Sequence, residues 1–115
     1  MSKKIVKVGN INCGGEDLFL ISGPCVIEEE SLMMRTAEKI KEISERLKMP
    51  LIFKSSFQKD NRSSLKYYVG PRIDEGLKLL EKIKKQFNVP ILSDVHYPEQ
   101  MKAAGEVLDV IQIPA

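Results

Sequence analysis

The sequence contains no tryptophan, one histidine and only two cysteines in 115 residues. Two cysteines cannot build a disulfide scaffold, so we expect both thiols to be reduced and the chain to be cytoplasmic. No apolar run reaches the roughly 18–20 residues that span a bilayer. The N-terminal lysines precede an alternating segment, which is not the continuous apolar stretch of a signal peptide. These absences predict that the chain has no membrane partner.

A strong excess of one charge is also absent. The net charge is only +2, from 18 basic and 16 acidic residues, and the three tyrosines and four phenylalanines are not interleaved with a basic stripe. Proteins that bind single-stranded nucleic acid combine a basic groove with aromatic stacking platforms. We therefore expect no nucleic-acid partner. The 43% hydrophobic and 30% charged content is typical of a globular domain.

Short apolar runs alternate with amphipathic segments along the chain. A Gly9-Asn10 turn predicts a β-hairpin within residues 1–15. The apolar runs after it predict four strands, at 18–22, 51–53, 90–94 and 109–114. Amphipathic segments predict three helices between these strands, at 31–48, 71–87 and 98–104. The apolar face of the first helix is predicted to consist of Met33, Ala37, Ile40, Ile43 and Leu47.

This order predicts an α/β fold with a parallel sheet covered by helices. No G-x-G-x-x-G turn follows the first strand, which argues against a dinucleotide-binding fold. All four strands end in polar or special residues, as in a TIM barrel, where the carboxyl ends of the strands form the active-site rim. The sequence therefore predicts the first half of a TIM barrel in one unit, 1–115, with the hairpin at 1–15 and the barrel elements at 16–115. Such a half leaves bare sheet edges and requires something to complete it.

Residues 53–64 concentrate hydrogen-bond donors directly after the second strand. Arginine and lysine are the side chains that hold phosphate and carboxylate groups. The position at a strand end predicts an anion site, and a solvated surface loop is the alternative. The donors of this segment are Lys54, Lys59, Asn61, Arg62, Ser63 and Ser64.

Cys25 and His96 are the other candidates for chemistry. Cys25 follows a Gly-Pro turn after the first strand, and it is interpreted either as a buried structural thiol or as a metal ligand or nucleophile. Cys13 should lie at the opposite end of the sheet, which argues against a disulfide between the two. His96 follows Asp94 by two residues, so both side chains should point the same way. A structural imidazole is the favoured interpretation of His96.

Four motifs occur in an order that resembles a known enzyme family. They are GPCVIEE (23–29), FKSSFQKDNRSS (53–64), LSDVH (92–96) and DVIQIPA (109–115). The whole chain is similar to the N-terminal part of 3-deoxy-D-manno-octulosonate 8-phosphate synthases, whose hairpin plugs the bottom of a TIM barrel. The resemblance implies a homotetrameric enzyme that condenses phosphoenolpyruvate with arabinose 5-phosphate and water, with release of phosphate, in lipopolysaccharide biosynthesis.

Two alternatives to this activity remain open. A sister family acts on erythrose 4-phosphate and carries a K-P-R-T-S type motif where this chain has N-R-S-S, which favours the arabinose phosphate enzyme. The second alternative is a half-barrel that binds sugar phosphates without catalysis.

The resemblance also implies roles for individual residues. Lys54 and Lys59 would meet the carboxylate and phosphate of phosphoenolpyruvate, and Lys59 and Asn61 would be catalytic. Arabinose 5-phosphate would be held by Asn61, Arg62 and Ser63. The phosphoenolpyruvate side would be lined by Ser56, Asp94, Gln112 and the backbone of Ala115. Asp60 departs from the alanine common at its position, and an acid there weakens an anion site.

Cys25 resembles the ligand of the metal-dependent class of this family. The implied cofactor is a divalent metal ion such as iron, zinc or manganese. Its remaining ligands, a histidine, a glutamate and an aspartate, would lie in the second half of the barrel.

Overall fold

The computed structural model describes residues 4–57 and 73–114. Within these ranges the strands are β1 (Val6–Val8), β2 (Ile11–Cys13), β3 (Leu20–Ser22), β4 (Leu51–Lys54), β5 (Ile91–Asp94) and β6 (Val110–Gln112). The helices of the same ranges are α1 (Glu30–Arg46), α2 (Ile73–Phe87) and α3 (Met101–Val107), and one 3₁₀ turn, Pro98–Gln100, leads into α3. None of these helices is long and apolar enough to cross a membrane.

Strands β3 to β6 form one parallel sheet in the order β3-β4-β5-β6. Successive strands are neighbours, and a helix connects each pair, which is the repeating βαβ arrangement. The predicted α/β class with a parallel sheet is therefore confirmed. Within the described residues the sheet stays open, with β3 and β6 at its edges.

The two faces of the sheet pack against different layers. On the outer face, Phe53 and Ile91 join the buried side chains of the helices, such as Met33 and Leu80, in one cluster. Burying one such large apolar side chain stabilises the fold by about 1.5–3 kcal/mol. Helices therefore cover the outer face, as the amphipathic pattern predicts.

The inner face is covered by the β1-β2 hairpin. Ile52 of β4 and Leu92 of β5 pack against Val8 and Ile11 of the hairpin. The hairpin turn lies against Pro90, at the amino ends of the strands. Cys13 in this hairpin and Cys25 are both free thiols, so the prediction that no disulfide joins them is confirmed.

Strand β3 is shorter than its apolar run. The pattern predicts a strand from Leu18, but β3 begins at Leu20 and Leu18 is 77% exposed. Leu20 pairs with Leu51, which is the first residue of β4, so the residues before Leu20 have no strand partner in the described sheet.

The end of α1 also differs from the prediction. Leu47 was assigned to the buried face but is 58% exposed, because α1 ends at Arg46 and Leu47 is its C-cap. Ser44 is buried in its place, and its hydroxyl donates to the carbonyl oxygen of Lys41 at 2.9 Å. The local hydrogen bond lets a small polar residue occupy an apolar face. The helix predicted at 98–104 begins with the 3₁₀ turn Pro98–Gln100, and α3 continues beyond Ala104 to Val107.

Lys84 of α2 forms contacts with the segment around Asp109. Its Nζ lies 3.2 Å from Oδ1 of Asp109 and 3.2 Å from the carbonyl oxygen of Val107. Oδ2 of Asp109 accepts a hydrogen bond from the backbone N–H of Ile91 at 2.8 Å. Lys84 and Asp109 therefore join α2, α3 and β5 at the amino end of the sheet.

Gly76 on α2 leaves room for the ring of Phe57. A Cβ atom at Gly76 would lie 2.7 Å from two ring carbons of Phe57. Phe57 is buried, and it follows the end of β4 by three residues. The absence of a side chain at position 76 therefore lets the segment after β4 pack onto the helix layer.

Gly76→Ala should lower the free energy of unfolding by about 1–3 kcal/mol, because the added methyl group overpacks the Phe57 ring. Gly105→Ala in α3 is the matched control, since a Cβ there meets no atom within 4 Å. That change should stabilise by about 0.5–1 kcal/mol through helix propensity alone. Urea unfolding of both variants measures the difference. Equal stabilisation by the two changes would contradict the contact between Gly76 and Phe57.

Candidate functional site

Polar side chains lie on the inner face of the sheet at the carboxyl ends of its strands. Successive residues of a strand point to opposite faces, so residues two apart share a face. Lys54, Asp94 and Gln112 each follow by two positions an apolar residue of the inner face. Those apolar residues are Ile52, Leu92 and Val110. These three side chains, the polar row, therefore lie on the inner face at the carboxyl ends of three neighbouring strands. Asp94 and Gln112 are paired in register, and Lys54 lies one step before them, level with Leu92.

Gly23 brings the turn that carries Cys25 close to this rim. A Cβ at Gly23 would overlap the carbonyl oxygen of Lys54, so only glycine allows β3 and β4 to approach there. Beyond the turn, the N–H of Ile27 donates to the carbonyl oxygen of Ser56 at 2.9 Å. Cys25 is thus fixed next to the end of β4.

Cys25 is exposed, so the interpretation as a buried structural thiol is wrong. It lines a cavity of about 340 Å³ together with Lys54 and Ser56. Three residues assigned to the site from the sequence therefore face one space. The sulfur of Cys25 suits a metal ion, and the side chain of Lys54 suits an anion.

Two buried serines connect the strand ends behind the rim. The hydroxyl of Ser93 donates to the carbonyl oxygen of Ser55 at 2.7 Å, and the hydroxyl of Ser55 donates to the carbonyl oxygen of Pro24 at 2.8 Å. Both serines are almost completely buried. This chain of hydrogen bonds joins β5 and β4 to the turn before Cys25. Sequence reasoning assigned no role to these serines, and their signal is a small hydroxyl residue on the outer face at a strand end.

Asp94 and His96 form a buried pair at the end of β5. Nε2 of His96 lies 2.8 Å from Oδ2 of Asp94, as their spacing of two residues predicts. Burial of the carboxyl group acts to raise the pKa of Asp94, but hydrogen bonds from the side chains of Ser56 and His96 outweigh this effect. The side chains of Ser56 and His96 stabilise the charged form, so the pKa lies below the ordinary value of 3.8 and Asp94 is ionised at neutral pH.

Other predicted site residues lie outside the described residues. They are Lys59, Asn61, Arg62, Ser63 and Ala115. Their assignment to an anion site, and that of Ser64, stays a prediction.

The described part of the chain holds one candidate metal ligand at the rim. No group of three or more histidine, cysteine, aspartate or glutamate side chains there could hold a metal ion. A catalytic metal takes about three protein ligands. The exposed thiol of Cys25 fits the role of one ligand, and the others would have to come from elsewhere.

Comparison with known proteins identifies the family of this chain. Residues 3–115 match the DAHP synthetase I family. The chain belongs to this family. The match includes the hairpin, the sheet and all four sequence motifs.

Curated relatives narrow the family further. The chain is 51% identical over 113 residues to a protein of Geotalea daltonii and 54% identical over 111 residues to one of Fusobacterium nucleatum, both named 2-dehydro-3-deoxyphosphooctonate aldolase. A protein of Arabidopsis thaliana, 2-dehydro-3-deoxyphosphooctonate aldolase 2, is 54% identical over 100 residues. These names confirm the resemblance to octulosonate phosphate synthases.

The matches cover nearly all of this chain but only part of each relative. They span 97%, 96% and 87% of this chain, and 42%, 40% and 34% of the relatives. The chain therefore spans about two fifths of the length of the curated relatives that it matches.

Ser55→Ala should loosen the turn that carries Cys25, because the carbonyl of Pro24 loses its donor at a cost of about 0.5–1.5 kcal/mol. Alkylation of Cys25 should become severalfold faster, while Cys13 in the hairpin serves as an internal reference. Peptide mass spectrometry after timed alkylation measures both rates.

Ser44→Ala is the matched control, since Ser44 is equally buried but bonds within α1. It should leave the ratio of the two alkylation rates unchanged. The hydrogen-bond chain has no role in fixing the turn if Ser55→Ala and Ser44→Ala give the same ratio.

Proposed function

We propose that this chain forms the first half of a TIM barrel in a 3-deoxy-D-manno-octulosonate 8-phosphate synthase. A TIM barrel has eight strands in about 250 residues, and its active site lies at the carboxyl ends of the strands. The observation that carries the proposal is the inner rim, where Lys54 lines a cavity with Cys25 and where Asp94 and Gln112 end the next two strands. The relatives with this activity in their name are 51% and 54% identical to the chain over 113 and 111 residues.

The part of the inner face that the hairpin leaves uncovered supports the same fold. Ile21 of β3 lies on this face and is 45% exposed. An apolar cavity on the same face is lined by side chains of the hairpin and of β3 to β6. Four further strands would cover these residues and remove the two free edges of the sheet.

In the proposed reaction, the enol double bond of phosphoenolpyruvate supplies the electron pair for a new bond to the aldehyde carbon of arabinose 5-phosphate. The aldehyde oxygen takes up a proton, water adds at C2 of the phosphoenolpyruvate unit, and phosphate leaves. The substrates carry a carboxylate and two phosphate groups, so the site needs fixed cations. Lys54, with its ammonium group at the rim, is the described residue that supplies one.

The remaining roles follow the family resemblance. Lys59 is proposed to lie between the two substrates and, with Asn61, to take part in catalysis. Asn61, Arg62 and Ser63 would hold arabinose 5-phosphate, with Arg62 and Ser63 at its phosphate. Ser56, Asp94, Gln112 and the backbone of Ala115 would line the phosphoenolpyruvate side.

Cys25 is proposed to supply one ligand to a divalent metal ion, with the other ligands outside this chain. Such an ion acts as a Lewis acid that orients water or polarises the sugar aldehyde. The exposure of Cys25 beside the cavity of Lys54 and Ser56 supports this role. A cytoplasmic homotetramer is the assembly that the resemblance implies, and it remains part of the proposal.

A chimaera tests the proposed reaction. In it, this chain replaces the matching segment of the Fusobacterium nucleatum relative. The folded chimaera should release phosphate from phosphoenolpyruvate in the presence of arabinose 5-phosphate but not of erythrose 4-phosphate. Release with only the four-carbon sugar would indicate the sister activity. Sugar phosphate binding without release by a folded chimaera would indicate a non-catalytic half-barrel.

Substitution of Lys54 tests its role in the same assay, and substitution of Lys85 is the control. Lys54→Met should lower kcat/KM by about 10- to 100-fold, the loss expected when a charge-assisted hydrogen bond of about 1.5–3 kcal/mol is removed. Lys85→Met changes an exposed lysine of α2 and should leave kcat/KM unchanged.

The metal proposal predicts that Cys25→Asn lowers the metal content of the chimaera. Elemental analysis after dialysis measures the stoichiometry independently of activity. Cys13→Ser is the matched control, because Cys13 lies in the hairpin at the other end of the sheet, and it should retain the metal. An unchanged metal stoichiometry in Cys25→Asn would rule out Cys25 as a ligand.

A further inference from the structure

Asp94 is a charged group in an unusual position. Asp94 is 8% exposed and ionised, and it lies at the inner rim where anionic substrates would bind. Oδ1 of this carboxylate is buried and has no hydrogen-bond partner among the described residues. Native structures leave few buried polar atoms without a partner, and those atoms often serve a function. Oδ1 of Asp94 is therefore expected to accept a hydrogen bond from a donor that is present when substrates are bound.

The second oxygen of Asp94 is held by His96. An ionised carboxylate only accepts hydrogen bonds, so Nε2 of His96 must carry the proton in the 2.8 Å contact with Oδ2. The His96 side chain is itself only 10% exposed. Packing thus restricts the imidazole, and the imidazole restricts rotation of the carboxylate.

Phosphoenolpyruvate cannot be the missing partner of Oδ1. At neutral pH its carboxylate and phosphate groups are acceptors, and both would be repelled by Asp94. Lys54 stands in the same polar row, but among the described residues no ion pair joins it to Asp94, because the register sets Lys54 beside Leu92. A sugar phosphate differs from phosphoenolpyruvate in carrying several hydroxyl groups, each of which can donate.

We propose that His96 is a positioning residue that holds Asp94 so that Oδ1 accepts a hydrogen bond from a hydroxyl group of the sugar phosphate. This inference rests on the proposed synthase function and reassigns Asp94 from phosphoenolpyruvate to the second substrate. Ser56 supports the arrangement, because its side chain also stabilises the charged form of Asp94. The pair therefore sets affinity for the sugar without contributing charge that attracts the first substrate.

His96→Ala in the chimaera tests this role. It should raise the KM for arabinose 5-phosphate about tenfold, as expected for a hydrogen bond to a charged group, and change the KM for phosphoenolpyruvate less than about twofold. His96→Gln should restore part of the sugar affinity, because its amide can donate to Oδ2. Gln86→Ala, at an exposed position of α2, is the control and should change neither KM.

A double-mutant cycle separates positioning from a general structural role. If His96 acts through Asp94, His96→Ala should raise the sugar KM much less in an Asp94→Asn background than in the unsubstituted one. Equal effects in the two backgrounds, an unchanged sugar KM, or a larger change in the KM for phosphoenolpyruvate would overturn the inference. A folded but inactive unsubstituted chimaera would instead overturn the proposed function on which the inference rests.

Discussion

Side chains on β4, β5 and β6 alternate between the two faces of the sheet, and a shift of one residue in any strand would exchange those faces. The present register directs Ile52 and Leu92 toward the hairpin and Phe53 and Ile91 toward the helices. Each polar residue of the rim follows an apolar residue of the inner face by two positions on the same strand. Apolar burial on both faces therefore fixes the polar end of each strand, because an alternative register would bury charges against the helices.

Neighbouring layers convert this register into a defined site. The serine hydrogen bonds tie the turn of Cys25 to β4 and β5, and Gly23 allows the close approach of that turn to Lys54. On the helix side, Gly76 admits the ring of Phe57. At the opposite end of the sheet, the hairpin and the contact of Lys84 with Asp109 hold the strands together. Structural contacts and candidate chemistry thus lie at opposite ends of the same strands.

Features that depend on periodicity could be predicted from the sequence. The shared direction of Asp94 and His96 follows from their spacing of two, and the parallel sheet follows from apolar runs between amphipathic segments. Features that depend on tertiary contacts could not. Leu47 is exposed because α1 ends at Arg46, and the hydroxyl of Ser55 bonds a carbonyl oxygen 31 positions away in sequence. Such contacts become visible only when the strands are placed side by side.

The central claim is that the rim of Lys54, Asp94 and Gln112 binds both substrates. The most direct measurement is a crystal structure of the chimaera with phosphoenolpyruvate and a non-reacting analogue of arabinose 5-phosphate. The account predicts substrate oxygens about 2.7–3.2 Å from Nζ of Lys54 and from Oδ1 of Asp94. Substrates bound at the amino ends of the strands instead, in the cavity beside Gly9 and Lys84, would contradict it.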